Sequence, residues 1–338
     1  MKKLYTMFGS VPKSPEPGAL LKYHIRNIQS ILDYTKEWEG THPVFHYIRA
    51  LIMKIQSYQF EYDIYYQGKT LRGSNYNEYP DSSMYERFFY GGYEKAHREI
   101  QSRTGEKVDS AFNINDLPLI TGLWNNHMAE NISKIGKNVG NPFQDNLNVS
   151  NHYYFPLGVM VSFGGNHSQF VAMTKGEGQV GFRTFYDISN LYEQIYFDGN
   201  QFRFTDNKKA VDVSRETRVK IKQHQDVYCL CGILFEIGRV LKDRLDIFPN
   251  VIVEQMNQLE NENSITEKEL QDYREALFER LVGYGYNGEF TMEILQTGHI
   301  TKGMRIFSVT HKNDYKKVYQ VNLRKYGGTS DQIFLLYN

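Results

Sequence analysis

Residues 155–178, FPLGVMVSFGGNHSQFVAMTKGEG, constrain the fold of this chain more than any other stretch. Val159, Met160 and Val161 read as a buried strand, and Gly164 and Gly165 follow as a turn. A helix then opens at Asn166, His167 and Ser168, where Asn and Ser favour a helix N-terminus. A turn without Cβ atoms lets backbone N–H groups approach an anion, and a helix N-terminus adds about half a positive charge. That is the geometry of a phosphate site. It is equally the geometry of a structural strand-to-helix corner.

The chain has 39 Lys or Arg and 39 Asp or Glu in 338 residues, so the molecule as a whole does not attract nucleic acid. Its 41% apolar content supports a packed core. Cys229 and Cys231 lie one residue apart in an apolar run. On a helix they point about 200° apart, which suits neither a disulfide nor a shared metal, so they read as buried structural residues. Their scarcity fits a reducing cytosol. The first twenty residues lack the apolar segment of a signal peptide, and no window resembles a membrane span. A cytoplasmic protein without membrane contact is expected.

The periodicity predicts an α+β protein. Residues 1–110 read as a helical N-terminal region, with Leu21, Ile25, Ile28 and Leu32 on one face and Val44, Ile48, Leu51, Ile55 and Tyr62 on a second. Ser83 and Glu86 are spaced as a capping box, and 13 of the 26 tyrosines fall before residue 110. Residues 111–250 read as a central domain. It begins with a strand over 111–117 and a helix over 126–136, and ends in an apolar helix over 227–245. Between them, an Asp-Gly turn at Asp198 and Gly199 joins strand-like residues of 191–204. Residues 251–283 form an acidic helical connector, with a second capping box at Thr266 and Glu269. Residues 284–338 read as a small antiparallel β-rich unit. Two segments are basic, 203–222 and 302–325, with seven Lys or Arg each. Each could track a nucleic-acid backbone. The acidic connector could instead pair with a basic patch, within the chain or across a homodimer.

Residues 114–178 resemble the ParB/sulfiredoxin-like superfamily. Ile114-Asn115-Asp116-Leu117-Pro118-Leu119 matches its opening strand phrase, and Ala129 to Gly136 (AENISKIG) its following helix. Phe163-Gly164-Gly165-Asn166-His167 is similar to the sulfiredoxin phrase Phe-Gly-Gly-Cys-His-Arg. Together with Asn151-His152, Phe155-Pro156-Leu157-Gly158 and Tyr186-Asp187, Gly165-Asn166-His167-Ser168 is also similar to an uncharacterised bacterial family with a GNHS core. In the superfamily this turn holds nucleotide phosphates. Its members include CTP-hydrolysing DNA clamps, DNA nucleases, an ATP-using sulfinic acid reductase and a serine kinase. The resemblance therefore implies a nucleotide of the ATP or CTP class held by Gly164, Gly165, Asn166, His167 and Ser168, with Mg²⁺ as a further expectation. A bacterial or phage conflict role would follow from it. Two positions depart from the pattern. Asn166 replaces the reductase cysteine, and Ser168 replaces an arginine whose guanidinium would bond phosphate in bidentate fashion. Lys175 or Arg183 is then the candidate cation.

The candidate catalytic residues are His167, Glu130 and His152. His167 could donate to a phosphate oxygen or act as general acid, or it could cap the turn. Glu130 lies on the helix that the superfamily packs near the turn, and His127 shares its face. His152 stands just ahead of the strand, with Glu177, Asp187 and Asp198 in turns. No spacing matches a metal signature. Two functions follow as expectations: a nucleotide-phosphate-binding hydrolase or nuclease, or a non-catalytic regulatory protein that recognises a protein or nucleic-acid partner.

Overall fold

The computed structural model describes residues 17–66, 82–121, 128–263, 267–283, 290–295, 304–311, 316–322 and 332–337. Helix α1 (Pro17–Tyr34) and α2 (Pro43–Tyr66) both begin at proline, whose fixed φ suits the first helical turn. His42 completes the start of α2, its Nδ1 accepting the Val44 N–H at 3.1 Å. Val44, Ile48, Leu51, Ile52 and Ile55 form the buried stripe of α2, while Ile28 and Leu32 are the buried positions of α1. Helix α3 (Ser82–Phe89) adds Met84, Tyr85, Phe88 and Phe89.

A five-stranded mixed sheet follows. Its order is β1 (Gln101–Asn113), β5 (Gln179–Asp187), β3 (Ser150–Phe155), β4 (Val159–Gly164), β2 (Leu119–Ile120). Helix α2 packs against β2 of this sheet and α3 against β4. Strands β3 and β4 form an antiparallel hairpin, β5 runs parallel to β3, and β2 runs parallel to β4. Helix α4 (Met128–Lys134) and α5 (Asn166–Lys175) pack together. After α6 (Leu191–Gln194), β6 (Ile195–Phe197) and β7 (Phe202–Phe204) pair around the Asp198-Gly199 turn. Helix α7 (Arg215–Gln223) leads into α8 (Gln225–Leu241), which contributes eleven buried residues. Helix α9 (Asn250–Asn263) follows. One hydrophobic cluster runs from Ile28 of α1 to Leu259 of α9, and each fully buried Leu, Ile or Phe in it contributes about 1.5–3 kcal/mol.

A second, smaller core belongs to the C-terminal elements. Tyr273, Leu277 and Leu281 recur every fourth residue along α10 (Glu267–Gly283) and pack with Val309, Tyr319 and Val321. The sheet order there is β11 (Gln332–Tyr337), β10 (Lys316–Asn322), β9 (Met304–His311), β8 (Phe290–Leu295), antiparallel throughout. The acidic connector thus divides: α9 buries Ile252, Met256 and Leu259 in the first core, and α10 belongs to the second.

The structure differs from the sequence expectations in two places. The strand expected over 111–117 begins at Gln101, ends at Asn113 and gives way to a turn over 114–116. The boundary expected at 110/111 therefore falls inside β1. Strand β1 is a sheet edge of mostly polar residues, with register shifts between Thr104, Val108 and Phe112, so no clean alternation marks it. Ser83 and Glu86 both lie within α3 rather than at its cap. Ser82 at the start of α3 donates its hydroxyl hydrogen bond to the Ser162 carbonyl. The Tyr62 side chain, His127, Thr266 and most side chains of 302–325 lie outside the described residues. No helix among the described residues is long and apolar enough to cross a membrane.

Candidate functional site

Strand β4 turns into α5 through Gly165, whose φ of 69° and ψ of 21° place it in the left-handed region that favours glycine. Close packing also requires the pair of glycines. A Cβ on Gly164 would stand 2.6 Å from the Asn148 carbonyl oxygen, and one on Gly165 would stand 3.0 Å from Val149 Cγ2. The backbone before β3 therefore closes over the outside of the turn. That segment is itself pinned by an ion pair between Asp145 and Lys107 of β1, with side chains 1% and 9% exposed.

A buried amide network fixes the direction in which α5 leaves the sheet. Gln169 Nε2 has three acceptors: Asn151 Oδ1 at 3.0 Å, Ser162 Oγ at 2.7 Å and the Gly164 carbonyl at 2.9 Å. In return, Asn151 Nδ2 donates to Gln169 Oε1 at 2.9 Å and to the Gly181 carbonyl at 2.8 Å. Four elements, β3, β4, β5 and α5, are thereby tied at one point. The Gln169 N–H bonds the Gly165 carbonyl at 2.9 Å, closing the first helical turn. The N–H groups of Asn166, His167 and Ser168 precede it, at positions where a helix offers no intrahelical acceptor. All three residues are half-buried, and Nε2 of His167 is shielded from solvent.

The other candidate residues do not gather here. Glu130 is exposed on α4 and pairs with Lys134 one turn along the helix. Glu177 Oε1 accepts the Lys137 N–H at 2.7 Å. Lys175 lies at the far end of α5, about 13 Å along the axis from its start. Its ammonium donates to the Ile132 carbonyl at 2.6 Å, to the Ile135 carbonyl and to Asn138 Oδ1 at 3.1 Å, capping the end of α4. Lys175 is thus no substitute for the missing arginine. Asp187 Oδ1 accepts the Ser189 N–H at 2.9 Å, and Asp198 holds its own hairpin turn through Arg203 and the Asn200 and Gln201 amides. Arg183 stands exposed on β5. Among the described residues, no group of three or more His, Cys, Asp or Glu is placed to hold a metal ion.

His152 faces away from α5. Successive strand residues point to opposite faces, so the Asn151 amide meets α5 and the His152 ring lies on the other side. There it stacks on Phe163, with centroids 4.1 Å apart, and tilts against Tyr186 at 5.4 Å. Its Nδ1 is buried without a hydrogen-bond partner among the described residues. Burial pushes its pKa down to about 4, so the ring is neutral at pH 7. The aromatic ladder continues as Tyr186 stacks on Tyr154 at 5.0 Å and Tyr154 meets Phe89 at 5.4 Å.

Glu86 of α3 lies among these rings. Burial raises the pKa of its carboxyl group, while the Tyr154 hydroxyl and Arg87 partly oppose that rise. The Tyr154 hydroxyl lies near enough to stabilise the carboxylate without the geometry of a formed hydrogen bond. Tyr186 is pushed up to about 12, first by burial and then by the Glu86 charge. Tyr90 is raised by the same two causes. Perturbed groups of this kind often mark functional positions. Of this cluster, sequence reasoning had singled out only His152 as a chemical group. The others come from segments far apart in the chain, and no local pattern joins them.

No curated protein and no solved structure matches the chain. Residues 9–248 match the family described as "Family of unknown function (DUF6710)", a span that ends within the first core and excludes the C-terminal unit. The match covers well over half of the chain, and the protein belongs to that family.

Proposed function

We propose that the protein holds the phosphate of a nucleotide at residues 164–168 and acts through binding rather than hydrolysis. The observation that carries this reading is the left-handed Gly165 cap, which turns β4 directly into α5 and places the backbone amides of Asn166, His167 and Ser168 in the first helical turn. Such amides and the helix dipole favour an anion. The order of β2, α4, β4, the glycine turn and α5 (strand, helix, strand, turn, helix) supports it, because it is the order that the ParB/sulfiredoxin-like resemblance implies, with β3 as an additional strand between α4 and β4.

The non-catalytic half of the reading rests on where the acids and bases stand. Glu130, Glu177 and Asp187 each have another partner. His152 lies on the opposite face, and a histidine with a pKa near 4 is a poor proton shuttle at neutral pH. A hydrolase or nuclease would need an acid or base beside the corner, and among these candidates only His167 is there. A thermal-shift panel of ATP, CTP, GTP and ADP, with and without Mg²⁺, tests the proposal on wild type and His167→Ala. A ligand at 100 times its dissociation constant adds about 2.7 kcal/mol, a shift of a few degrees. We expect such a shift without phosphate release, reduced in His167→Ala. Absence of any shift would remove the phosphate site, and Mg²⁺-dependent phosphate release would restore the hydrolase reading.

A further inference from the structure

Helix α7 is held to the body by little of its surface. Ser214 caps it, with its Oγ accepting the Thr217 N–H at 3.2 Å, and Thr217 is its one buried residue. Its outward side carries Arg215, Arg218, Val219 and Lys222, all exposed. At 3.6 residues per turn, the three cations fall within about 60° of arc, in a line about 10 Å long. Some exposed or half-buried cations elsewhere are paired, Lys134 with Glu130, Arg203 with Asp198, Arg239 with Glu236 and Arg244 with Asp246, while others such as Arg183 stand singly on the surface. On α7, no carboxylate lies within ion-pair distance of Arg215, Arg218 or Lys222 among the described residues. Among the described residues, the only side-chain hydrogen bond from the three goes from Arg218 Nη2 to the Val213 carbonyl, at a long 3.4 Å.

We infer that this face of α7 docks along the phosphate backbone of a nucleic acid. Each of the three cations can meet one phosphate, so the row neutralises up to about three phosphates. Two of the three are guanidinium groups, whose fork matches phosphate oxygens in bidentate fashion. Of the α7 side chains on this side, the terminal Gln223 alone could reach a base edge, so the contact is mainly to the backbone and largely indifferent to sequence. The whole chain has zero formal charge, so the attraction is local, weak and sensitive to salt. The inference does not depend on the nucleotide reading of the glycine corner.

Fluorescence anisotropy with a labelled 20-nucleotide duplex and the full chain, between 50 and 200 mM salt, provides the test. Release of counterions from about three phosphates predicts an affinity about 40-fold lower at the higher salt. Arg215→Ala/Arg218→Ala/Lys222→Ala should abolish binding at 50 mM salt while leaving the thermal midpoint in place, because all three side chains are exposed. Arg215→Lys/Arg218→Lys keeps the charge and should retain most of the affinity. The inference is overturned if wild type fails to bind at 50 mM salt or if the alanine variant binds as wild type does. Equal affinity for poly-glutamate would also overturn it, since the face would then select an acidic protein.

Discussion

The two faces of the β3–β4 hairpin carry opposite kinds of polar chemistry. On the α5 side, Asn151, Ser162 and Gln169 are buried and joined to each other and to two backbone carbonyls. On the α3 side, His152 keeps a buried nitrogen without a partner, and Glu86 and three tyrosines have shifted pKa values. The recognisable glycine motif belongs to the first face, whose polar groups largely satisfy each other and hold a corner in place. The perturbed titratable groups belong to the second, which has no motif. A motif and a set of activated groups need not coincide. Here their separation is what favours the proposed binding role over hydrolysis.

The largest effect should come from breaking the satisfied face. Gln169→Leu strands the Asn151 amide oxygen and one of its N–H groups, at about 1–3 kcal/mol for each that finds no water, while the Ser162 hydroxyl and the Gly164 carbonyl keep their mutual bond at 3.0 Å. We expect a loss of about 3–5 kcal/mol in urea unfolding. A loss under about 1 kcal/mol would mean that the network does not organise the corner. Gly164→Ala comes next. Its Cβ would meet the Asn148 carbonyl oxygen at 2.6 Å, a backbone atom that no rotamer change can move. A cost of about 1–3 kcal/mol is expected for such overpacking.

The α3 face should reveal itself through pH. His152 has a folded pKa of about 4 against an ordinary 6.5. Above pH 6.5 the ring is neutral in both states and contributes nothing to the pH dependence. Between pH 6.5 and 4 the unfolded chain takes up a proton that the folded one refuses, so stability declines as pH falls. The slope is at most about 1.4 kcal/mol per pH unit, and less because the ring is only partly buried. His152→Phe should flatten this slope in a series of melts from pH 7 to 4, and an unchanged slope would place the proton elsewhere. The smallest effect should be at Tyr153, a fully buried residue whose hydroxyl has no hydrogen-bond partner among the described residues. Tyr153→Phe should be neutral or stabilising by up to about 1 kcal/mol, measured by the same unfolding assay.

How much of this was legible depended on how local each pattern was. The glycine corner, the apolar α8 and the four C-terminal strands announce themselves through period and punctuation within about ten residues. Strand β1 did not, because an edge strand with two register shifts needs no alternation. The amide network was invisible because Asn151 and Gln169 are eighteen residues apart and are ordinary polar residues until the fold brings them together. Glu86 was misread as a capping residue for the same reason, since its neighbours Tyr154 and Tyr186 come from β3 and β5. Lys175 looked like a replacement cation because proximity in sequence hid its place at the other end of a ten-residue helix.

The most direct test of the central claim is isothermal titration of ATP and CTP into wild type and Ser168→Arg. Ser168 opens α5 in the first turn, and an arginine there would add a charge-assisted, bidentate contact to any phosphate held by the corner. The account predicts measurable binding to wild type and at least about tenfold tighter binding to Ser168→Arg, since about 1.4 kcal/mol suffices for that factor. No heat with either protein, both folded, would contradict it and leave the corner as architecture.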